Sequence, residues 1–162
     1  MSRRTLALVV VLLLGFLAWR YLAPNDERDV RRRLNAFASA FNETSSGGVA
    51  TVAHAARLGS YFTEDVVVEL GDGAPPIRGR QTLIAMATRL QPRTEAFTLE
   101  LVDQNVTVSS PTTAEVNLTA TFRRRSHASG EDAVEARELA LRMIKAAGNW
   151  LVSEVKSVDA FR

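Results

Sequence analysis

The chain contains no cysteine, so disulfides, thiolate nucleophiles and thiolate metal sites are all excluded. It has two histidines, His54 and His127, and carries no H-E-x-x-H, G-x-S-x-G, phosphate-loop or dinucleotide-fold pattern. Metal ions and nucleotide cofactors are therefore not expected. It has no internal repeat and little net charge. The formal value is +2 with a pI near 9.5, but Arg3, Arg4 and Arg20 precede Pro24 with no acid among them. Without those three the remainder carries about −1, which is too little positive charge for phosphate-backbone binding. Nucleic acid is not an expected partner.

At 162 residues, 46% hydrophobic and 23% charged, the chain has room for one globular core and a further segment. That segment is the run TLALVVVLLLGFLAW, which follows Met-Ser-Arg-Arg and is extended by Tyr21, Leu22 and Ala23. A helix from Thr5 to Ala23, rising about 1.5 Å per residue, nearly covers a bilayer core. Arg20 would then snorkel to the interface, with Trp19 and Tyr21 as interfacial aromatics. A cleaved signal peptide fits less well, because Phe16 stands two places before Ala18 and Pro24 follows Ala23. Residues 1–23 thus read as an uncleaved transmembrane anchor, with the membrane as partner through segment 5–23, and residues 24–162 as the domain. Arg28, Arg31, Arg32 and Arg33 behind the anchor outnumber Arg3 and Arg4 before it. Large domains translocate largely regardless of such charges, so the expectation is a single-pass protein of an inner (cytoplasmic) membrane with its domain on the periplasmic side.

Pro24-Asn25-Asp26-Glu27 offers a helix cap with acids in the first turn, and Val30, Leu34, Phe37 and Phe41 follow as one apolar stripe. The arginine run 31–33 lies largely off that stripe and reads as a solvated face or a contact for anionic headgroups. After a Ser/Gly break, residues 49–58 form a second helix with Val52, Ala55 and Ala56 available for packing. Residues 65–70 read as a strand, 71–76 as a turn, and 80–90 as a third helix with Leu83, Met86, Ala87 and Leu90 on one side. From Ala96 the apolar period becomes two: Phe97, Leu99 and Leu101, then Ala114, Val116, Leu118, Ala120 and Phe122. Val106 and Val108 read as a separate short strand between these. Residues 133–145 and 150–160 read as the last two strands, with 126–132 a polar hairpin loop containing His127. Helices followed by antiparallel strands define an α+β fold.

That element order resembles the cone-shaped nuclear transport factor 2-like superfamily, which includes ketosteroid isomerases and polyketide cyclases. The resemblance spans residues 27–162 and is carried most specifically by Tyr61-Phe62-Thr63-Glu64-Asp65-Val66-Val67-Val68 and by Pro76-Ile77-Arg78-Gly79-Arg80. It implies three helices packed on a curved, mostly antiparallel sheet that encloses a pocket, and a small apolar ligand or a homodimer as possible partners. In the ketosteroid isomerase pattern an aspartate general base closes the first strand, and that position falls on Leu70 here. Glu69 is one residue away and, by strand parity, faces the opposite side.

The candidates for acid–base work are His54, Tyr61 and Glu69, with Arg137 as an orienting group. The candidates for a pocket floor are Asn117 and Arg137, joined by Thr119, Glu138 and Glu154, which are polar residues inside strands, while Trp150 reads as a pocket residue covering the mouth or as core packing. For any one of these the competing reading is a solvated outer face with cross-strand pairs. Three Asn-x-Thr triplets, at Asn42, Asn105 and Asn117, read as chance occurrences. Two functions follow. The leading one is a membrane-anchored, non-catalytic ligand-binding or protein-assembly module, a membrane-complex partner included; such modules resemble the periplasmic component of type IV secretion systems. The alternative is a small-molecule isomerase, dehydratase or cyclase working in the cone.

Overall fold

The computed structural model describes residues 25–43, 48–71, 73–90, 95–126 and 132–158. The expected anchor, His127 and the residues after Val158 lie outside them. Among the described residues no helix is long and apolar enough to cross a membrane.

Helix α1 (Asp26–Asn42) begins where the sequence places it. The Asn25 side chain accepts the amide N–H of Arg28, and Asp26, Glu27 and Asp29 occupy the first turn. Val30 and Leu34 are buried in the core, with Phe37 and Phe41 packed at its margin. The arginine run on this helix is mostly not solvated. Arg31 donates to the backbone carbonyl of Gln104, and Arg33 donates to the carbonyls of Trp150 and Ser60 while covering the Tyr61 ring at 4.1 Å. Arg32 alone of the three makes an exposed pair, with Asp29.

Helix α2 (Gly48–Gly59) packs against α3 (Arg80–Leu90). Of the three α2 residues expected to pack, Ala55 is buried whereas Val52 and Ala56 are exposed. On α3, Leu83 joins the core and Met86 is exposed. Between these helices run β1 (Phe62–Glu69) and the short β2 (Ile77–Arg78). Gly79, with φ of 85°, turns the chain out of β2, its amide N–H bonded to the carbonyl of Val66.

Four long strands follow: β3 (Glu95–Ser110), β4 (Thr113–Ser126), β5 (Asp132–Ala146) and β6 (Asn149–Ser157). The six form one sheet in the order β2-β1-β6-β5-β4-β3, antiparallel throughout except where β1 pairs with β6. Val106 and Val108 belong to β3 rather than to a strand of their own. A register shift between Val102 and Asn105, with Asp103 at φ of 52°, bends one strand without ending it. The shift also explains the apparent break in the apolar alternation after Leu101.

Residues opposite one another in register share a face. Val106, Val116, Leu141, Val155 and Val68 form one buried row, and Ala114, Met143 and Val152 form the next. This is the inner face, under the helices. The outer face carries Glu115, Arg142 and Glu154 on adjacent strands, with Lys156 bonded to Glu154 at 2.7 Å. The bonded Lys156 ammonium holds the Glu154 carboxyl below its ordinary value, and Glu154 in turn raises Lys156.

Strand β3 is an edge, and α1 covers it. The Asn42 side chain accepts the Leu99 amide N–H at 2.7 Å and donates to the Leu99 carbonyl at 2.9 Å, standing in for a missing neighbour strand. Replacing Asn42 by alanine is expected to lower folding stability by about 1–2 kcal/mol, since both bonds are lost. Thermal unfolding followed by circular dichroism measures this, and an unchanged midpoint would mean that water satisfies the edge equally well.

Candidate functional site

Among the described residues the inner face is closed at one end and more exposed at the other. At the closed end Trp150 lies under α1, 2% exposed, opposite Lys145, whose ammonium bonds Asp26 at 2.6 Å and stands 5.5 Å from the indole ring. The rows of Met143 and Leu141 follow, all buried. Beyond Leu118 and Leu139 the cover thins. The next rows outward are Leu101, Ala120 and Arg137, then Leu99, Phe122 and Glu135, then Phe97, Arg124 and Ala133. Ala120 and Leu99 remain buried, Leu101 and Phe122 are half-buried, and Phe97 is exposed.

At this open end the charged residues arrive by strand parity. Positions 143, 141, 139, 137 and 135 of β5 all point inward, which places Arg137 and Glu135 on the face that the core leucines build. Arg137 donates from Nε to Glu135 at 2.6 Å and from Nη1 to the Leu70 carbonyl at 3.4 Å. Its side chain is 38% exposed and that of Glu135 62%. Among the described residues Arg137 is thus the innermost charge on this side, and it touches Leu70, the residue that follows β1.

The sequence candidates are scattered around this site. His54 is half-buried on α2, which lies chiefly against α3 and α1. Tyr61 is buried between the edge-on Phe37 ring, 5.5 Å away, and the Arg33 guanidinium. Glu69 pairs in register with Lys156 on the outer face, so it points away from the helices. The structure does not bring these three together. Asn117 is exposed on the outer face, opposite Asn105 and Ala140, because the neighbouring Val116 and Leu118 both face inward. Thr119 and Glu138 share that outer face, as does Glu154. Arg137 and Trp150 do share the inner face, but eight residues of strand separate their rows, roughly 26 Å at about 3.3 Å per residue. Glu135 and Arg124 escaped the sequence reading. Counting by twos from Leu139 and from Phe122 finds both.

Among the described residues no group of three or more histidines and carboxylates could hold a metal ion. The arrangement is a guanidinium with a carboxylate partner, set at the rim of an apolar half-covered face. It can hold an anion or a polar head while leucine and phenylalanine side chains receive an apolar body.

Three helices over one face of a six-stranded, mostly antiparallel sheet, with a first strand paired in parallel to the last, define the nuclear transport factor 2-like class. Within it the chain belongs to the SnoaL-like domain family, whose model matches residues 25–156. A comparison with curated proteins finds no sequence match. Solved structures with the same fold include an NTF2-like protein with a cystatin-like fold from Novosphingobium aromaticivorans. It is 17% identical with a TM-score of 0.68, and the likeness covers 91% of this chain and 92% of that one. A provisionally named scytalone dehydratase from the same organism is 14% identical, with 82% of each chain covered and a TM-score of 0.68. A ketosteroid isomerase-like protein from Erwinia carotovora atroseptica is 18% identical, covering 84% of this chain and 98% of that one, with a TM-score of 0.59.

Proposed function

We propose that the domain holds a small, largely apolar ligand at the open end of its inner face without transferring a proton on it. Segment 5–23 keeps that binding at a membrane surface, on the periplasmic side of an inner membrane. The observation that carries this reading is Leu70. Where the isomerase pattern has its aspartate this chain has a side chain that cannot take a proton, and the Leu70 carbonyl is engaged by Arg137.

A general base must come within about 3 Å of the proton it removes, directly or through one water. Glu69 faces the outer side, His54 sits on a helix that packs chiefly on other helices, and Tyr61 lies beneath Arg33. Glu135 does face inward, but it is bonded to Arg137 and stands mostly in water, where no closed environment favours proton transfer. Ketosteroid, the compound class in the name of one structural neighbour, is apolar, as the rows of Leu101 and Phe122 require. Ligand binding also stands ahead of protein assembly, because among the described residues the outer face carries a charged ladder of Glu115, Arg142, Glu154 and Lys156.

The test is to purify the full-length chain from membranes, extract it with organic solvent and identify retained molecules by mass spectrometry. The expected result is a retained apolar compound that prolonged incubation with fresh protein leaves chemically unchanged. Conversion to a product would establish the enzyme alternative, and failure to retain or rebind any small molecule would overturn the binding role.

A further inference from the structure

Resting on the membrane attachment proposed above, we infer that the domain stands with its closed end, the turns at residues 110–112 and 146–149, against lipid headgroups. In the sequence only Pro24 separates Ala23, where the apolar run ends, from the Asn25 cap, so chain reach holds the two within about 7 Å of one another. The start of α1 is fastened to the sheet by the bond between Asp26 and Lys145 at 2.6 Å, both side chains being less than a quarter exposed. Lys145 also donates its amide N–H to the Thr112 carbonyl at 2.9 Å, and the next residue, Ala146, pairs with Asn149. Asn25 and both turns therefore occupy one end of the molecule.

The chemistry of that end fits a neutral headgroup layer. Residues 110–112 and 146–149 carry no charge, and all but Ser110 are exposed. The charges that the start of α1 brings beside them balance: Asp26 pairs with Lys145, Asp29 pairs with Arg32, and Glu27 is followed by Arg28. No net charge has to be stripped of water as the turns approach lipid. Lying flat on α1 is the other pose so short a link allows, and it would depend on arginines reaching anionic headgroups. Arg31 and Arg33, however, are bonded inward to the carbonyls of Gln104 and Trp150, and Arg32 is held by Asp29. Upright on its turns, the domain carries the far end of α1, where Asn42 holds Leu99, as much as about 25 Å beyond Asn25. The rows of Leu99 and Phe97 then face away from the bilayer, so a ligand reaches them through water instead of sliding in from lipid.

Because the chain has no cysteine, single cysteine variants take one fluorophore each. Pro111→Cys and Asn149→Cys mark the two turns, Ser39→Cys the outward side of α1, and Val134→Cys the remote end of β5, all at exposed positions. Each full-length variant is labelled with bimane and assembled into phosphatidylcholine nanodiscs, either plain or containing phosphatidylcholine with a nitroxide on its headgroup. The nitroxide discs are expected to quench the label at Pro111 and Asn149 and to leave Ser39 and Val134 as bright as in plain discs. Two turn positions keep the test open if one variant does not fold. Quenching at Ser39 as strong as at the turns would overturn the inference in favour of the flat pose, and quenching strongest at Val134 would invert it. Quenching at no position would show the domain standing clear of lipid and overturn it too. A chain that does not enter nanodiscs at all would instead overturn the membrane attachment on which the inference rests.

Discussion

Replacing Trp150 with alanine is expected to destabilise the domain by about 3–5 kcal/mol, the range for removing a large buried aromatic. The residue is 2% exposed and is packed into the main core cluster beside Val30, Met143 and Val152. Its truncation would leave a void that Lys145 and Asp26, paired above it at 2.6 Å, cannot fill without moving charge into the core. Phenylalanine should behave quite differently. The indole Nε1 is buried with no hydrogen-bond partner among the described residues, so Trp150→Phe sacrifices ring volume but no hydrogen bond and should cost about 1 kcal/mol. Urea unfolding followed by far-ultraviolet circular dichroism separates the cases, since both variants lose the domain's tryptophan and keep only Trp19. Equal losses for the two substitutions would show that the nitrogen is doing something the ring is not. Trp150 is then a packing residue first.

The second large effect is expected at Gly59, the buried last residue of α2. A β-carbon there would lie 2.5 Å from Cδ1 and 2.7 Å from Cγ1 of Ile84 on α3, closer than packed carbons approach. Gly59→Val is expected to cost about 3 kcal/mol by overpacking this helix joint. Ile84→Ala clears the space, so the double variant should be markedly more stable than the sum of the two single losses predicts. Simple additivity in urea unfolding would show that α3 moves aside freely and that the close approach is unimportant. Stability at this joint matters for the site, because α3 carries Leu83 into the core above the strand that ends beside Leu70.

Much of this architecture is legible in the amino-acid order. The Asn25 cap, the Val30 and Leu34 stripe and the alternation through Ala114, Val116, Leu118 and Ala120 are local signals that packing reinforces. What was not legible is long-range. The break after Leu101 looks like the end of a strand, yet it is a bulge that the continuous partner β4 carries across. Arg31 and Arg33 look solvated because helical periodicity knows nothing of the carbonyls of Gln104 and Trp150, which lie far along the chain. The same holds for the site. Naming Arg137 beside Glu138 groups polar residues by neighbourhood, whereas a strand sorts them by parity. Parity sends Glu138 and Asn117 outward and pairs Arg137 with Glu135.

The parallel pairing of β1 with β6 has a consequence in time as well as in space. Phe62 lies opposite Val152 and Val68 opposite Val155, so the first strand must wait for the last before it has a neighbour other than the two-residue β2. Because β6 is also the partner of β5, it sits inside the sheet, and no part of β1 joins the β3–β5 meander until β6 has been made. Closing so long a loop is entropically slow compared with zipping a hairpin. The β1 side of the sheet therefore closes later than the β3–β5 meander, whose paired strands are neighbours in the chain.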